Sequence, residues 1–270
     1  MSSSNRQPCW LCPLNPRAGF AIYPVMETSK KIALITGANK GLGFEMARQL
    51  GQAGVRVVMA ARDSAKGEAA AAKLRDEGLD VQFLRLDVTD KKDRAAASAF
   101  LEEKFGRLDI LINNAGILAE ALGGGKVSTT TEDVIHRTFE TNFFAPVALT
   151  QALLPLLQKS DAGRIVNMSS ILGSQTLHAD ATSPIYDFKA LSYDASKAAL
   201  NSFTIHLAYE LKETRIKVNS AHPGWVKTDM GSDAAPMEIP EGARTGVELA
   251  LLGADGPTGG FFHLGQTLPW

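Results

Sequence analysis

From residue 31 onward the chain repeats one pattern: a short apolar run, a turn rich in glycine or small polar residues, then a helical stretch. KIALIT (31–36) ends at a glycine and leads into a helix from about Leu42 to Ala53. VRVVMAA (55–61), VQFLRLDV (81–88) and LDILIN (108–113) read as three more strands, with helices over 64–78 and near 91–105 between them. GRIVNMSS (163–170) and RIKVNSAHPG (215–224) read as a fifth and a sixth, each preceded by a helix. Strands in strict alternation with helices imply right-handed crossovers, so the pattern predicts an α/β fold: a doubly wound parallel sheet with helices on both faces. Such sheets bind ligands outside the carboxyl ends of their strands, which makes the residues at those ends the candidates for function.

Composition supports one core. A chain of 270 residues with 45% hydrophobic content can bury it as a single domain, taken here as residues 26–270. A net charge of −1 gives no argument for a nucleic-acid or membrane-surface partner. The longest apolar run, FFAPVALTQALLPLL (143–157), carries two prolines and falls short of the roughly 20 residues a membrane span needs, so it is expected to be a buried helix. Cys9 and Cys12 are the only cysteines; a lone Cys-x-x-Cys lacks the four ligands of a structural zinc site, and no metal is expected. The body of the chain cannot hold a disulfide framework, and a cytoplasmic setting fits. Residues 1–25 carry four prolines and no acid and show no period, so they are expected to be an extension outside the fold, with a targeting segment left open.

Four clusters fall at strand ends, and two further features lie in helical stretches. TGANKGLG (36–43) places Gly37, Gly41 and Gly43 where a tight turn could bring backbone N–H groups to a pyrophosphate at a helix N-terminus, although a plain strand-to-helix turn would use the same residues. LDVTD (86–90) leaves Asp87 free to meet an adenine amino group if Thr89 or Asp90 caps the next helix. NNAG (113–116) ends the fourth strand. NMSS (167–170) ends the fifth, and strand alternation would turn Ser169 and Ser170 to opposite faces. In LSYDASKAAL (191–200), Tyr193 and Lys197 stand one helical turn apart and can reach one point in space. Asn142 sits inside the apolar stretch FETNFFAPVAL, where a buried amide needs partners.

TGANKGLG, NNAG, VNMSS, YDASK and HPGWVKTDM, in that order, resemble a short-chain dehydrogenase/reductase over about residues 30–270, and GANKGLG with AARD is most similar to the NADPH-dependent carbonyl reductase branch. The resemblance implies a Rossmann-type fold and reduction of a ketone or aldehyde to an alcohol, or the reverse. It assigns Tyr193 as proton donor, Lys197 as the cation that lowers the phenol pKa and binds the nicotinamide ribose, Ser170 as donor to the substrate oxygen, and Asn142 as holder of a relay water. It further implies that NADP(H) is bound by Gly37, Asn39, Lys40, Gly41, Leu42, Gly43, Arg62, Asp87, Val88, Asn114, Ala115 and Gly116. Tyr193, Lys197, Pro223, Gly224, Val226 and Thr228 complete that set. The partner is a small carbonyl or alcohol; monomer and homo-oligomer both stay open.

Four rival readings compete with this one. Tyr186 and Lys189 form a second pair, rejected because they follow a proline rather than enter a long helical pattern. Asp63 could hold a bare ribose hydroxyl and favour NADH, but it is better placed to cap the helix that starts at Ser64. A dinucleotide sensor without turnover would be expected to lose Tyr193 or Lys197, and a sugar-nucleotide epimerase would carry a larger C-terminal part. The long segment between Ser170 and Tyr193 is a departure from the family spacing and is expected to loop over the substrate side.

Overall fold

The computed structural model describes residues 30–120 and 126–270, so the expectations for residues 1–25, Cys9 and Cys12 included, lie outside the described residues. The elements are β1 (Ile32–Thr36), α1 (Gly41–Gln52), β2 (Arg56–Ala61), α2 (Ser64–Asp76), β3 (Val81–Arg85), α3 (Lys91–Phe105) and β4 (Ile110–Asn113). Then come α4 (Glu132–Phe139), a π-helical turn (Glu140–Phe144), α5 (Ala145–Leu157), β5 (Arg164–Met168), a 3₁₀ turn (Ile171–Gly173) and α6 (Gln175–Ala179). The chain closes with α7 (Leu191–Glu210), β6 (Lys217–Ala221), α8 (Ile239–Ala250), β7 (Phe261–His263) and β8 (Gln266–Thr267).

The strand order is β3-β2-β1-β4-β5-β6-β7-β8, and every pairing is parallel except β7 with β8. The order reverses between β1 and β4, which opens a crevice at the carboxyl ends of those two strands. Alternation along β1 shows why both faces are covered. Ala33 and Ile35 pack with Met46, Ala47 and Leu50 of α1, while Ile32 and Leu34 pack with Leu101 of α3 and Leu149 and Leu153 of α5. Each fully buried leucine, isoleucine or methionine among them contributes about 1.5–3 kcal/mol. Among the described residues no helix is long and apolar enough to cross a membrane, and the run at 143–157 is folded as the π turn and α5.

The strands end earlier than the apolar runs suggest. β3 stops at Arg85, and beyond it Asp87 accepts from the Thr89 backbone N–H (3.0 Å) and hydroxyl (2.7 Å), a turn that competes with the ladder. β5 stops at Met168, and Ser170 caps the 3₁₀ turn by accepting from Leu172 N–H (3.2 Å). Ser169 N–H still donates to the Ala221 carbonyl (2.8 Å) and Ser170 keeps an extended backbone, so the chain stays strand-like just past the end of β5. The hairpin of β7 and β8 was not anticipated; its segments are 3 and 2 residues long, too short to show a period.

A row of polar side chains crosses the sheet interior. Asn113 Nδ2 donates to Thr150 Oγ1 (3.1 Å) and Asn167 Oδ1 (2.8 Å), Asn167 Nδ2 donates to Thr204 Oγ1 (2.8 Å), and Thr204 and Ser220 share a bond of 2.8 Å. Asn113, Asn167 and Ser220 are register partners on β4, β5 and β6. At the opposite end of β5, the buried Arg164 guanidinium donates to the carbonyls of Leu252 (2.7 Å), Gly253 (2.9 Å), Gly163 (2.7 Å) and Arg215 (3.2 Å).

Candidate active site

The turn between β1 and α1 is shaped by two glycines. Gly37 takes φ +63°, and a Cβ on Gly43 would stand 2.5 Å from both Asn114 Nδ2 and the Gly37 carbonyl oxygen. No side chain caps α1, so its first N–H groups are left for a ligand. The NNAG segment is sewn to this turn: Thr36 Oγ1 accepts from the N–H groups of Asn114 and Ala115, both 3.0 Å, and Asn114 Nδ2 donates to the Thr36 carbonyl (2.8 Å). The role of Thr36 went unread in the sequence, although a threonine beside the first glycine was the available signal.

A cleft of about 990 Å³ runs from this turn to α7. Gly37, Asn39, Lys40, Gly41, Leu42, Gly43, Arg62, Asp87, Val88, Asn114, Ala115, Gly116, Pro223 and Thr228 line it, together with Tyr193 and Lys197. Gly224 and Val226 do not. Val226 is buried, bridges to Met237, and packs against Gly242, while Gly224 sits against the Met237 thioether. At the far end of β2, Arg62 is exposed, whereas Asp63 is turned to α2 and accepts from Lys66 N–H (3.0 Å). That bond holds the Asp63 carboxyl below the usual carboxylate range. Asp90 likewise caps α3 through the N–H groups of Lys92 and Asp93. Lys40 is ion-paired with Asp229 of the segment after β6, an interaction across 189 residues that local reading could not find.

Tyr193 and Lys197 are both buried on the first turns of α7. Lys197 Nζ donates to the Met168 carbonyl (2.8 Å) and lies 5.5 Å from the centre of the Tyr193 ring. Burial pushes the Tyr193 phenol up to about 12; hydrogen bonding with Ser170 opposes this and the charge of Asp194 adds to it. Burial pulls Lys197 down to about 8. Desolvation is thus the dominant influence on the phenol in the protein itself. At neutral pH the pair is a protonated phenol beside an ammonium, which suits a group that gives a proton away.

Ser169 and Ser170 both reach this corner. Ser169 lines the cleft, and Ser170 is near enough to the phenol to pull against the rise in its pKa. Asn142 is fully buried in the π turn, a distortion frequent at functional sites. Its Oδ1 accepts from Ile117 N–H (2.8 Å), and its Nδ2 donates to the Ile117 carbonyl (2.9 Å) and Ser196 Oγ (3.1 Å). The amide therefore bridges backbone to α7, the plainer of the roles open to a core asparagine. Tyr186 is exposed, and Lys189 points at His178, bonding its carbonyl (2.9 Å) and Nδ1 (3.0 Å), so the rival pair stands off the cleft. Glu120 escaped sequence reasoning altogether; it reaches the first turn of α7 from the segment after β4.

His222, next to Pro223, is buried, and its Nδ1 accepts from Ile171 N–H (3.2 Å). Burial, with the charge of His263 adding, drops its pKa from 6.5 to about 3. The unfolded chain protonates His222 near pH 6.5 while the folded one does not until about 3, so stability is lost as pH falls below 6.5. The loss reaches about 3 kcal/mol at pH 4. Asp194, raised to about 7 by burial, works in the opposite direction, so the comparison must be between variants. The fall in Tm between pH 7 and 4 is expected to be smaller in His222→Gln than in the wild type; equal acid sensitivity would place the effect elsewhere.

A family model described as short chain dehydrogenase matches residues 31–239. The chain is 35% identical to a (+)-neomenthol dehydrogenase of Arabidopsis thaliana, over 89% of this chain and 98% of that protein. It is 34% identical to the NADPH carbonyl reductase 1 of Bos taurus, over 91% of this chain and all (100%) of that one. Among solved structures, the NADPH-bound carbonyl reductase from chicken fatty liver superposes with a TM-score of 0.78 at 31% identity, covering 89% of this chain and 99% of its own. Salutaridine reductase from Papaver somniferum gives 0.75 at 31% identity, covering 87% and 100%.

Proposed function

Because the chain belongs to the short-chain dehydrogenase family, we propose that it is an NADPH-dependent oxidoreductase that interconverts a ketone or aldehyde and its alcohol. One observation carries the reading: a buried tyrosine and lysine stand at one end of a cleft whose other end is a glycine turn at an uncapped helix N-terminus. A Cβ has no room at Gly43, so the turn fits the close backbone approach that a pyrophosphate requires.

Gly37, Asn39, Gly41, Leu42 and Gly43 would hold the phosphates, Arg62 and Lys40 the 2′-phosphate, and Asp87 and Val88 the adenine. Asn114, Ala115, Gly116, Pro223 and Thr228 would line the remaining length, and Gly224 and Val226 would serve through backbone or by shaping the wall. Bound there, NADPH supplies the hydride. Tyr193 gives its hydroxyl proton to the carbonyl oxygen, and Ser170 donates a hydrogen bond to the same oxygen while charge builds on it. The Lys197 ammonium stabilises the phenolate left behind. Asn142 holds the Ile117 backbone against α7, which is where a relay water would have to sit. The sensor alternative is disfavoured because both Tyr193 and Lys197 are retained and paired. The residues 26–270 act as one catalytic domain, with a cytoplasmic setting suited to its cofactor.

A panel of ketones and aldehydes assayed with NADPH and NADH tests this. Asp63 is committed to α2, and Lys40 already has Asp229, so Arg62 carries most of the discrimination. One charge-assisted contact worth about 1.5 kcal/mol gives roughly tenfold. The ratio of kcat/KM for NADPH over NADH is expected to fall about tenfold in Arg62→Ala. A wild-type preference for NADH would overturn the cofactor assignment, and no turnover of any carbonyl would overturn the activity.

A further inference from the structure

The helix that carries Tyr193 starts without a cap of its own. Ala190 occupies the N-cap position of α7 and has no side-chain acceptor, so the N–H groups of Ser192 and Tyr193 need partners from elsewhere. Glu120 supplies both. Its Oε1 accepts from Ser192 N–H (2.6 Å), Ser192 Oγ (2.6 Å) and Tyr193 N–H (3.1 Å). The N–H of Asp194 already bonds the Ala190 carbonyl (2.8 Å), so the bond to Tyr193 completes the turn. The Asp194 carboxylate folds back onto Ala190 N–H (2.9 Å). Asp194 thus serves the N-cap N–H from one residue beyond the N3 position of a capping box. The acceptor that an N-cap side chain would ordinarily offer to N2 and N3 arrives instead from 72 residues away.

The origin of Glu120 matters as much as its contacts. It lies four residues beyond Gly116, where a Cβ would stand 3.5 Å from Lys197 Nζ and 3.4 Å from Asn142 Oδ1. One segment therefore lines the cleft and also grips the helix end that presents the phenol. A carboxylate at a helix N-terminus is favoured by the helix dipole, so the grip is electrostatic as well as geometric. Thr138 Oγ1 (3.3 Å from Ser192 Oγ) and Thr130 Oγ1 (3.4 Å from Glu120 Oε2) add weaker ties.

We propose that Glu120 is a positioning residue: it sets the place of the Tyr193 hydroxyl by holding the backbone of the first turn of α7 to the segment that follows β4. This rests on the reading of Tyr193 as the proton donor. Misplacing a reacting group by on the order of 1 Å can cost about 10²-fold in rate. Tyr193 keeps its ring packing when the cap is lost, so a smaller loss is expected.

The test compares Glu120→Ala, Glu120→Gln and Glu120→Asp for kcat per NADPH-binding site, with 4-nitrobenzaldehyde as substrate. Site concentration and Kd come from NADPH fluorescence titration. Glutamine keeps the reach and the acceptor oxygen but loses the charge; aspartate keeps the charge and loses the reach. Positioning predicts kcat per site down about tenfold in the alanine and aspartate variants, within about threefold of wild type in glutamine, and NADPH Kd within about twofold throughout. If the alanine variant does not fold, the order of glutamine over aspartate still decides. Unchanged kcat per site in aspartate, or glutamine worse than aspartate, would overturn the proposal. Tyr193→Phe measured alongside separates the two readings: if it keeps wild-type turnover, the proton-donor assignment has failed, whatever Glu120 does.

Discussion

Replacing Tyr193 with phenylalanine is expected to lower kcat for carbonyl reduction by about 10²–10⁴-fold, the usual contribution of a general acid. NADPH affinity should stay within about twofold, because the buried ring and the position of Lys197 are retained and only the hydroxyl is removed. The pH profile adds a second reading. The phenol is held near 12 and the lysine near 8, so the protonated-phenol and ammonium pair persists below about pH 8. Reductive kcat should therefore fall as pH rises through 8, when Lys197 loses its proton. Steady-state kinetics of the variant and a wild-type profile from pH 6 to about 9.5 give both results. Near-normal activity in Tyr193→Phe, or an equal loss in Tyr186→Phe, would remove the assignment.

Arg164→Met is expected to cost about 3 kcal/mol or more, because the side chain serves several buried acceptors with charge-assisted bonds. Every acceptor it meets is a backbone carbonyl, two of them at Leu252 and Gly253, just past the C-terminus of α8, where a cation also suits the helix dipole. Burial lowers the guanidinium pKa, a sign of how much desolvation those bonds offset. Methionine fills similar volume but leaves the carbonyls without a donor, so packing does not rescue the loss. For a domain of this size the change should lower Tm by about 6–12 °C, measurable by circular dichroism. Activity at 25 °C should persist, since Arg164 lies at the opposite end of β5 from Ser170. A Tm within about 2 °C of wild type would show that water replaces the guanidinium.

The sequence was most readable where the chemistry is local. The glycine turn, the Tyr193–Lys197 pair one turn apart, and the caps at Asp63 and Asp90 all depend on neighbours within a few residues. Strand ends were read too long because apolarity continues through Leu86 and Val88 after the ladder has given way to a side-chain turn. What stayed hidden is carried by contacts between distant segments. Glu120 at Ser192, Asp229 at Lys40 and Arg164 at Leu252 each join residues 72 to 189 apart, and no period or motif announces such a pairing. The burial that raises the Tyr193 phenol is a property of the whole fold, which the spacing of Tyr193 and Lys197 does not show.

The polar row through Asn113, Asn167, Thr204 and Ser220 has a consequence for fidelity of assembly. Apolar strands such as ILIN and RIVNM could slide past one another by two residues and still bury aliphatic side chains. Sliding would strand two amides in the interior, at about 1–3 kcal/mol for each unmet group. Only one alignment of β4, β5 and β6 meets all of them. That same alignment sets Asn114, one residue after Asn113, beside the glycine turn, and Ser170, three after Asn167, beside the phenol. The row thus works as a vernier: it converts a choice among nearly equivalent greasy alignments into a single setting, and the two halves of the cleft come into alignment with it.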